Sequence, residues 1–255
     1  MKITRAVVPS LFTVLNMFSG FMSILHASRG EFTQACWFII LAAGFDALDG
    51  IMARITKSSS EFGVQIDSLS DVVSFGAAPA FLTYQLDLHR LEVLGILVSS
   101  MLMVFAGLRL ARFNVQLVGF DKDHFVGLPV PMSAMTVASF TLNYYSVAEG
   151  LQPLAARFLP WLAAGLSLLM VSKVKYETLP KISARGIREH PLKFGLLVAA
   201  VVAVIATGGS AIFPLLLAII GYGLLRSIVL AAMRLAGSGS REEDADAGEN
   251  SRIDT

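Results

Sequence analysis

Long apolar blocks separated by short polar stretches dominate the chain. They lie near residues 11–28, 33–54, 66–86, 91–113, 131–148, 154–172, 193–208 and 211–233. A helix needs ~20 apolar residues to cross a bilayer, with a range of about 17–25. The pattern therefore predicts an all-α integral membrane protein, a polytopic helix bundle of about eight transmembrane helices. The seventh block is the shortest, and Gly208-Gly209 separates it from the eighth. These two read as a tight hairpin or one re-entrant pair.

Both ends of the chain differ from its middle. Lys2 and Arg5 precede the first apolar run as they would in a signal peptide, but Thr13, Asn16 and Ser19 interrupt that run and no small-x-small cleavage site follows. The start reads as a short interfacial helix over residues 1–10, with Pro9 marking a bend into a retained first span. Beyond residue 236, Gly-Ser repeats give way to a run of Glu and Asp without aromatics. Such a segment cannot bury a core, so residues 237–255 are expected to form a disordered acidic tail behind a membrane domain of residues 1–236.

Composition agrees with a lipid environment. Hydrophobic residues make up 55% and charged residues only 15%, against about 25% charged in soluble domains; the mean hydropathy is +0.68. A net charge of +1 gives no reason to expect nucleic acid as a partner. The single cysteine, Cys36, lies in an apolar run, which excludes a disulfide framework and leaves it as a packing residue. Charge position is more informative than charge total. Lys2, Arg5, Arg54, Lys57, Arg109, Arg112, Lys122, Lys173, Lys175, Lys181, Arg185, Arg188 and Lys193 fall on one side of the predicted spans, while Arg29, Arg90 and Arg157 fall on the other. The positive-inside rule then puts both termini in the cytoplasm of a multi-pass cytoplasmic-membrane protein.

One segment is out of place in lipid. Between residues 45 and 76, FDALDGIMARITKSSSEFGVQIDSLSDVVSFG carries Asp46 and Asp49 at the end of the second block, and Asp67 and Asp71 at the start of the third. Each carboxylate at a bilayer centre costs ~2.5–3.5 kcal/mol, and the nearby cations, Arg54 and Lys57, can both reach the interface. Asp46, Asp49, Gly50 and Ala53 share one helix face, as do Gly63, Asp67, Asp71, Ser74 and Ala78 on the next helix. A short connection makes these helices antiparallel neighbours, so the carboxylates can face one another across a cleft. Oxygen ligands without His or Cys suit Mg²⁺ or Mn²⁺, and four of them suit a pair of ions bridging a phosphate.

The same residues carry a family resemblance. D-x-x-D-G-x-x-A-R-x8-G-x-x-x-D-x-x-x-D is complete here as Asp46, Asp49, Gly50, Ala53, Arg54, Gly63, Asp67 and Asp71. It resembles the hallmark of the CDP-alcohol phosphatidyltransferases, whose core is a six-helix membrane bundle. The resemblance implies that Asp46, Asp49 and Asp67 bind metal, and that Asp71 binds metal and acts as general base. It implies that Gly50, Ala53 and Gly63 let the CDP group approach, and that Arg54 meets its phosphates. The family's first helix carries a pattern close to P-N-x-x-T-x-x-N. Pro9-Ser10-Leu-Phe-Thr13-Val-Leu-Asn16 is similar to it, with Ser10 in place of Asn, so Thr13 and Asn16 are expected near the nucleotide. A homodimer is implied by resemblance alone.

Two stretches bear on the acceptor alcohol. The first, Ser70-Asp71-Val-Val-Ser74-Phe75-Gly76-Ala-Ala-Pro79, extends the carboxylate motif; the second is Gly107-Leu-Arg109-Leu-Ala-Arg112-Phe113-Asn114, followed by Phe125-Val-Gly127-Leu128-Pro129-Val-Pro131. Both are similar to patterns of the family's phosphatidylserine synthase branch. That likeness implies CDP-diacylglycerol and L-serine as substrates, with Arg109, Arg112 and Asn114 receiving the serine carboxylate. Glycerol 3-phosphate or an inositol compound is the alternative acceptor. A divalent-cation transporter is a remote alternative, since a transporter needs a path to both faces and the four aspartates cluster toward one. His124 lies in a polar loop and reads as solvated.

Overall fold

We describe a computed structural model of the protein covering residues 7–56, 61–118, 127–174, 202–230 and 233. The apolar blocks become helices: α1 (Val7–Ser28), α2 (Phe32–Thr56), α3 (Glu61–Asp71), α4 (Ala78–Leu86), α5 (Glu92–Val118), α6 (Val130–Tyr144), α7 (Pro153–Val171) and α8 (Ile212–Leu230). Five of them, α1, α2, α5, α7 and α8, are long and apolar enough to cross a membrane. The chain is an all-α polytopic membrane protein, with a two-stranded hairpin pairing Tyr145 with Leu151 and Ser146 with Gly150 as a minor addition.

The side chains are arranged for lipid. Along α1, Leu11, Val14, Phe18 and Phe21 are more than half exposed, while Thr13, Asn16, Ser19 and Ser23 are buried. The apolar stripe faces outward and the polar stripe inward, as expected where lipid tails are the solvent and helices associate through small and polar side chains. The interior is correspondingly fine-grained. Ala35, Cys36, Ala42, Ala78, Ala106, Ala134 and Ala138 line it, around the larger Ile39, Phe75, Leu82 and Leu102.

Turns fix the order of the helices. Arg29 and Gly30 donate backbone hydrogen bonds to His26 and Ala27 at 3.0 and 3.1 Å, closing α1 so that α2 returns alongside it. The following rod is continuous from residue 61 to 86, but its middle, Val72–Ala77, is a π-helix in which the Ala78 amide reaches back to the Val73 carbonyl. Pro79 explains the widened turns. It has no N–H to offer the carbonyl four residues back, and its ring crowds that carbonyl in a regular α-turn.

Two expectations need correction. The bend at Pro9 is absent, because α1 begins at Val7 and runs through it; in a first helical turn the missing N–H has no intrahelical partner to lose. Residues 1–6 of the predicted interfacial helix lie outside the described residues. The fifth span stops at Tyr144 rather than 148, where the chain turns into the hairpin. Most of the seventh block lies outside the described residues. Its end, residues 202–206, is helical and meets α8 through Gly208 and Gly209, at φ 61° and 98°.

Candidate active site

All the sequence-selected polar residues that are described gather at one end of the bundle. The first half of α1, the last turns of α3 and the C-terminal parts of α2 and α5 meet there. Carboxylate oxygens of Asp46 from α2, and of Asp67 and Asp71 from α3, lie within 4.8 Å of one another. Ligands of one hard cation at about 2.0–2.1 Å stand roughly 3–4 Å apart, so a small closure would let the three share an ion. Asp49 departs from the expected foursome. It repels Asp46 and Asp67 electrostatically, yet its Oδ2 accepts a hydrogen bond from Thr13 Oγ1 and turns toward α1.

Helix α1 is tied to this group at four points. Asn16 Nδ2 donates to Asp71 Oδ1 at 3.3 Å, beside the Thr13–Asp49 bond. In the other direction, Ser70 Oγ donates to the Thr13 carbonyl at 3.0 Å and Ser74 Oγ to the Asn16 carbonyl at 2.8 Å. Gly20 permits the approach, since a Cβ there would lie 2.6 Å from the Ser74 Cα. Ser74 falls on the Asp67–Asp71 face by its spacing. Ser70 opens the stretch that extends the carboxylate motif, but its bond to α1 has no trace in that pattern.

The three acceptor-site candidates on α5 separate. Arg109 is half-buried and interacts electrostatically with Asp71, and its buried Nε has no hydrogen-bond partner among the described residues. Arg112 is exposed and donates from Nη1 to the Val171 carbonyl at 3.4 Å, at the end of α7. Asn114 Nδ2 donates to Ser68 Oγ at 2.9 Å, bracing α5 against α3 beside Asp67. Gly50 has open space above it, with no atom within 4 Å of a Cβ placed there. Ala53 and Gly63 are partly exposed on the facing helix ends. The Arg54 side chain lies outside the described residues, as do Lys57, Lys122 and His124.

Gly127 and Leu128, from the second acceptor-related stretch, have a structural part. Their amides donate to the carbonyls of Val174 and Leu169 at 2.9 and 3.0 Å, docking the α5–α6 connection on the end of α7. Gly127 adopts φ 93°, and a Cβ there would lie 2.2 Å from the Met170 carbonyl oxygen.

Comparison with known proteins places the carboxylate cluster in a family. The model of the family described as CDP-alcohol phosphatidyltransferase matches residues 6–169, which include every helix that supplies the site. The chain belongs to the CDP-alcohol phosphatidyltransferase family. Among relatives in that family, a Helicobacter pylori protein named CDP-diacylglycerol–serine O-phosphatidyltransferase is 39% identical over 176 residues, 68% of this chain and 73% of its own. An archaetidylserine synthase of Methanothermobacter thermautotrophicus is 40% identical over 189 residues, 72% of this chain and 75% of its own. A Methanocaldococcus jannaschii protein with the first of these names is 35% identical over 221 residues, 85% of this chain and 92% of its own.

Proposed function

We propose that this CDP-alcohol phosphatidyltransferase is a phosphatidylserine synthase, converting CDP-diacylglycerol and L-serine to phosphatidylserine and CMP with the help of Mg²⁺ or Mn²⁺. The observation that carries the reading is the carboxylate cluster of Asp46, Asp67 and Asp71, with half-buried Arg109 beside Asp71. Three clustered aspartates, with a fourth beside them, outnumber the one described guanidinium that interacts with Asp71. A hard divalent cation, or two, neutralises that excess, and an all-oxygen donor set suits it. Asp46, Asp67 and Asp71 would hold the metal, with Asp49 completing the set. When bound, the ions neutralise the pyrophosphate and stabilise the CMP leaving group.

The residues of the chain divide the remaining work. The serine hydroxyl oxygen attacks the phosphorus that carries diacylglycerol, its proton passes to Asp71, and the bond from phosphorus to the CMP oxygen breaks. Gly50, Ala53 and Gly63 leave room for the nucleotide, and Arg54 meets its phosphates. Arg109 receives the serine carboxylate. It is the acceptor-site candidate that interacts with Asp71 and has a buried nitrogen without a partner among the described residues, whereas Arg112 and Asn114 hold helix ends together. The Lys/Arg asymmetry puts this end of the bundle at the cytoplasmic face of the cytoplasmic membrane, and the enzyme works as a homodimer.

The serine KM of Arg109→Ala and Arg112→Ala tests the acceptor assignment. Charge-assisted hydrogen bonds are worth about 1.5–3 kcal/mol, so Arg109→Ala should raise the serine KM about 10- to 150-fold with a smaller effect on CDP-diacylglycerol. Arg112→Ala should change it far less. An unchanged serine KM in Arg109→Ala would overturn the assignment.

A further inference from the structure

We infer that Thr13 and Asn16 are positioning residues for the carboxylates, setting the geometry in which Asp49 and Asp71 meet metal, rather than contacts spent on the nucleotide. This deepens the metal-dependent reading above and rests on it. The two side chains are one helical turn apart on the inward face of α1 and are 3% and 0% exposed. Each uses its donor on a carboxylate from a different helix: Thr13 Oγ1 on Asp49 Oδ2 of α2, and Asn16 Nδ2 on Asp71 Oδ1 of α3. A carboxylate rotates freely about its last torsion unless one oxygen is held. Holding one oxygen of each leaves Asp49 Oδ1 and Asp71 Oδ2 with defined directions.

The holding groups are themselves held. The Thr13 carbonyl accepts from Ser70 and the Asn16 carbonyl from Ser74, at 3.0 and 2.8 Å. Each α1 residue therefore grips a carboxylate with its side chain while its backbone is pinned to the helix that carries Asp71. This arrangement sets two oxygens from separate helices in register through one rigid element. Partners that orient metal-binding carboxylates change metal affinity about 10- to 100-fold when removed. The Asn16 Oδ1 acceptor is buried without a partner among the described residues. Replacing Asn16 by an isosteric apolar side chain therefore breaks only the bond to Asp71.

The test is a Mn²⁺ titration of the purified full-length protein in detergent, read by the EPR signal of free Mn²⁺, with no nucleotide present. Thr13→Val and Asn16→Leu should each weaken Mn²⁺ binding about 10- to 100-fold, and Thr13→Ser, which keeps the hydroxyl, should restore it. Thermal unfolding of each variant shows that the bundle is intact. Unchanged Mn²⁺ binding in both apolar variants, with a raised KM for CDP-diacylglycerol, would overturn the inference and return these residues to the nucleotide. If the wild-type protein bound no more Mn²⁺ than Asp46→Asn, the metal reading itself would fall, and this inference with it.

Discussion

Gly20→Ala probes whether the close packing of α1 on the π-helix sets up the site. The added Cβ would stand 2.5 Å from Ser74 Oγ, 2.6 Å from its Cα and 2.9 Å from its Cβ. The hydroxyl could rotate away, but the Cα is backbone and cannot. Ordinary van der Waals contact begins at 3.4 Å, so the two helices must part by about 0.8 Å. That movement lengthens the Ser74–Asn16 bond from 2.8 Å toward a distance at which it no longer counts, and it carries Asn16 away from Asp71. Overpacking of this kind costs about 1–3 kcal/mol in stability. Misplacing a catalytic group by about 1 Å costs up to 100-fold in rate, so turnover should fall on the order of tenfold or more. The assay is turnover and thermal unfolding of the purified variant, with Gly165→Ala as the control. Gly165 also sits within a helix, but its added Cβ meets nothing within 4 Å, and a helical Gly→Ala change there gains about 0.5–1 kcal/mol. Wild-type turnover and melting in Gly20→Ala would refute the reasoning.

Three other outcomes are expected. Asp71→Asn should still bind CDP-diacylglycerol while losing most turnover, whereas Asp46→Asn should weaken metal and nucleotide binding together; near-normal turnover in both, at saturating metal and substrates, would contradict these roles. Gly127→Ala should melt earlier by the equivalent of about 1–3 kcal/mol or more, because its φ is 93° and its Cβ would strike the Met170 carbonyl; an unchanged melting temperature would show that this dock does not contribute to stability. Exhaustive chelation should abolish turnover, and Mg²⁺ or Mn²⁺ should restore it; full turnover without either would reject the metal.

The helices and the carboxylate motif were legible because both are local. Apolar block length reports a span wherever lipid is the solvent, and the Asp46–Asp49 and Asp67–Asp71 spacings give their helix faces directly. Relations between helices were harder to read. Asp49 shares a face with Asp46, yet a hydroxyl on α1 turns it aside, and the pattern of α2 alone carries no trace of α1. Arg109 and Arg112 sit one turn apart in one motif, but only packing decides that the first faces Asp71 while the second meets the end of α7. The π-helix at Val72–Ala77 had a signal in Pro79, which disfavours a regular α-turn before it. The bend expected at Pro9 followed from the same rule applied at a helix start, where proline is tolerated.

The central claim is that this chain transfers a phosphatidyl group from CDP-diacylglycerol to serine. The most direct measurement is CMP release by the purified protein supplied with CDP-diacylglycerol and Mg²⁺ or Mn²⁺. It would be run separately with L-serine, glycerol 3-phosphate and inositol, with the lipid product identified in each case. The account predicts rapid CMP release with serine, an equal yield of phosphatidylserine, and little of either with the other alcohols. CMP release that ignores serine, or that favours glycerol 3-phosphate or inositol, would contradict it.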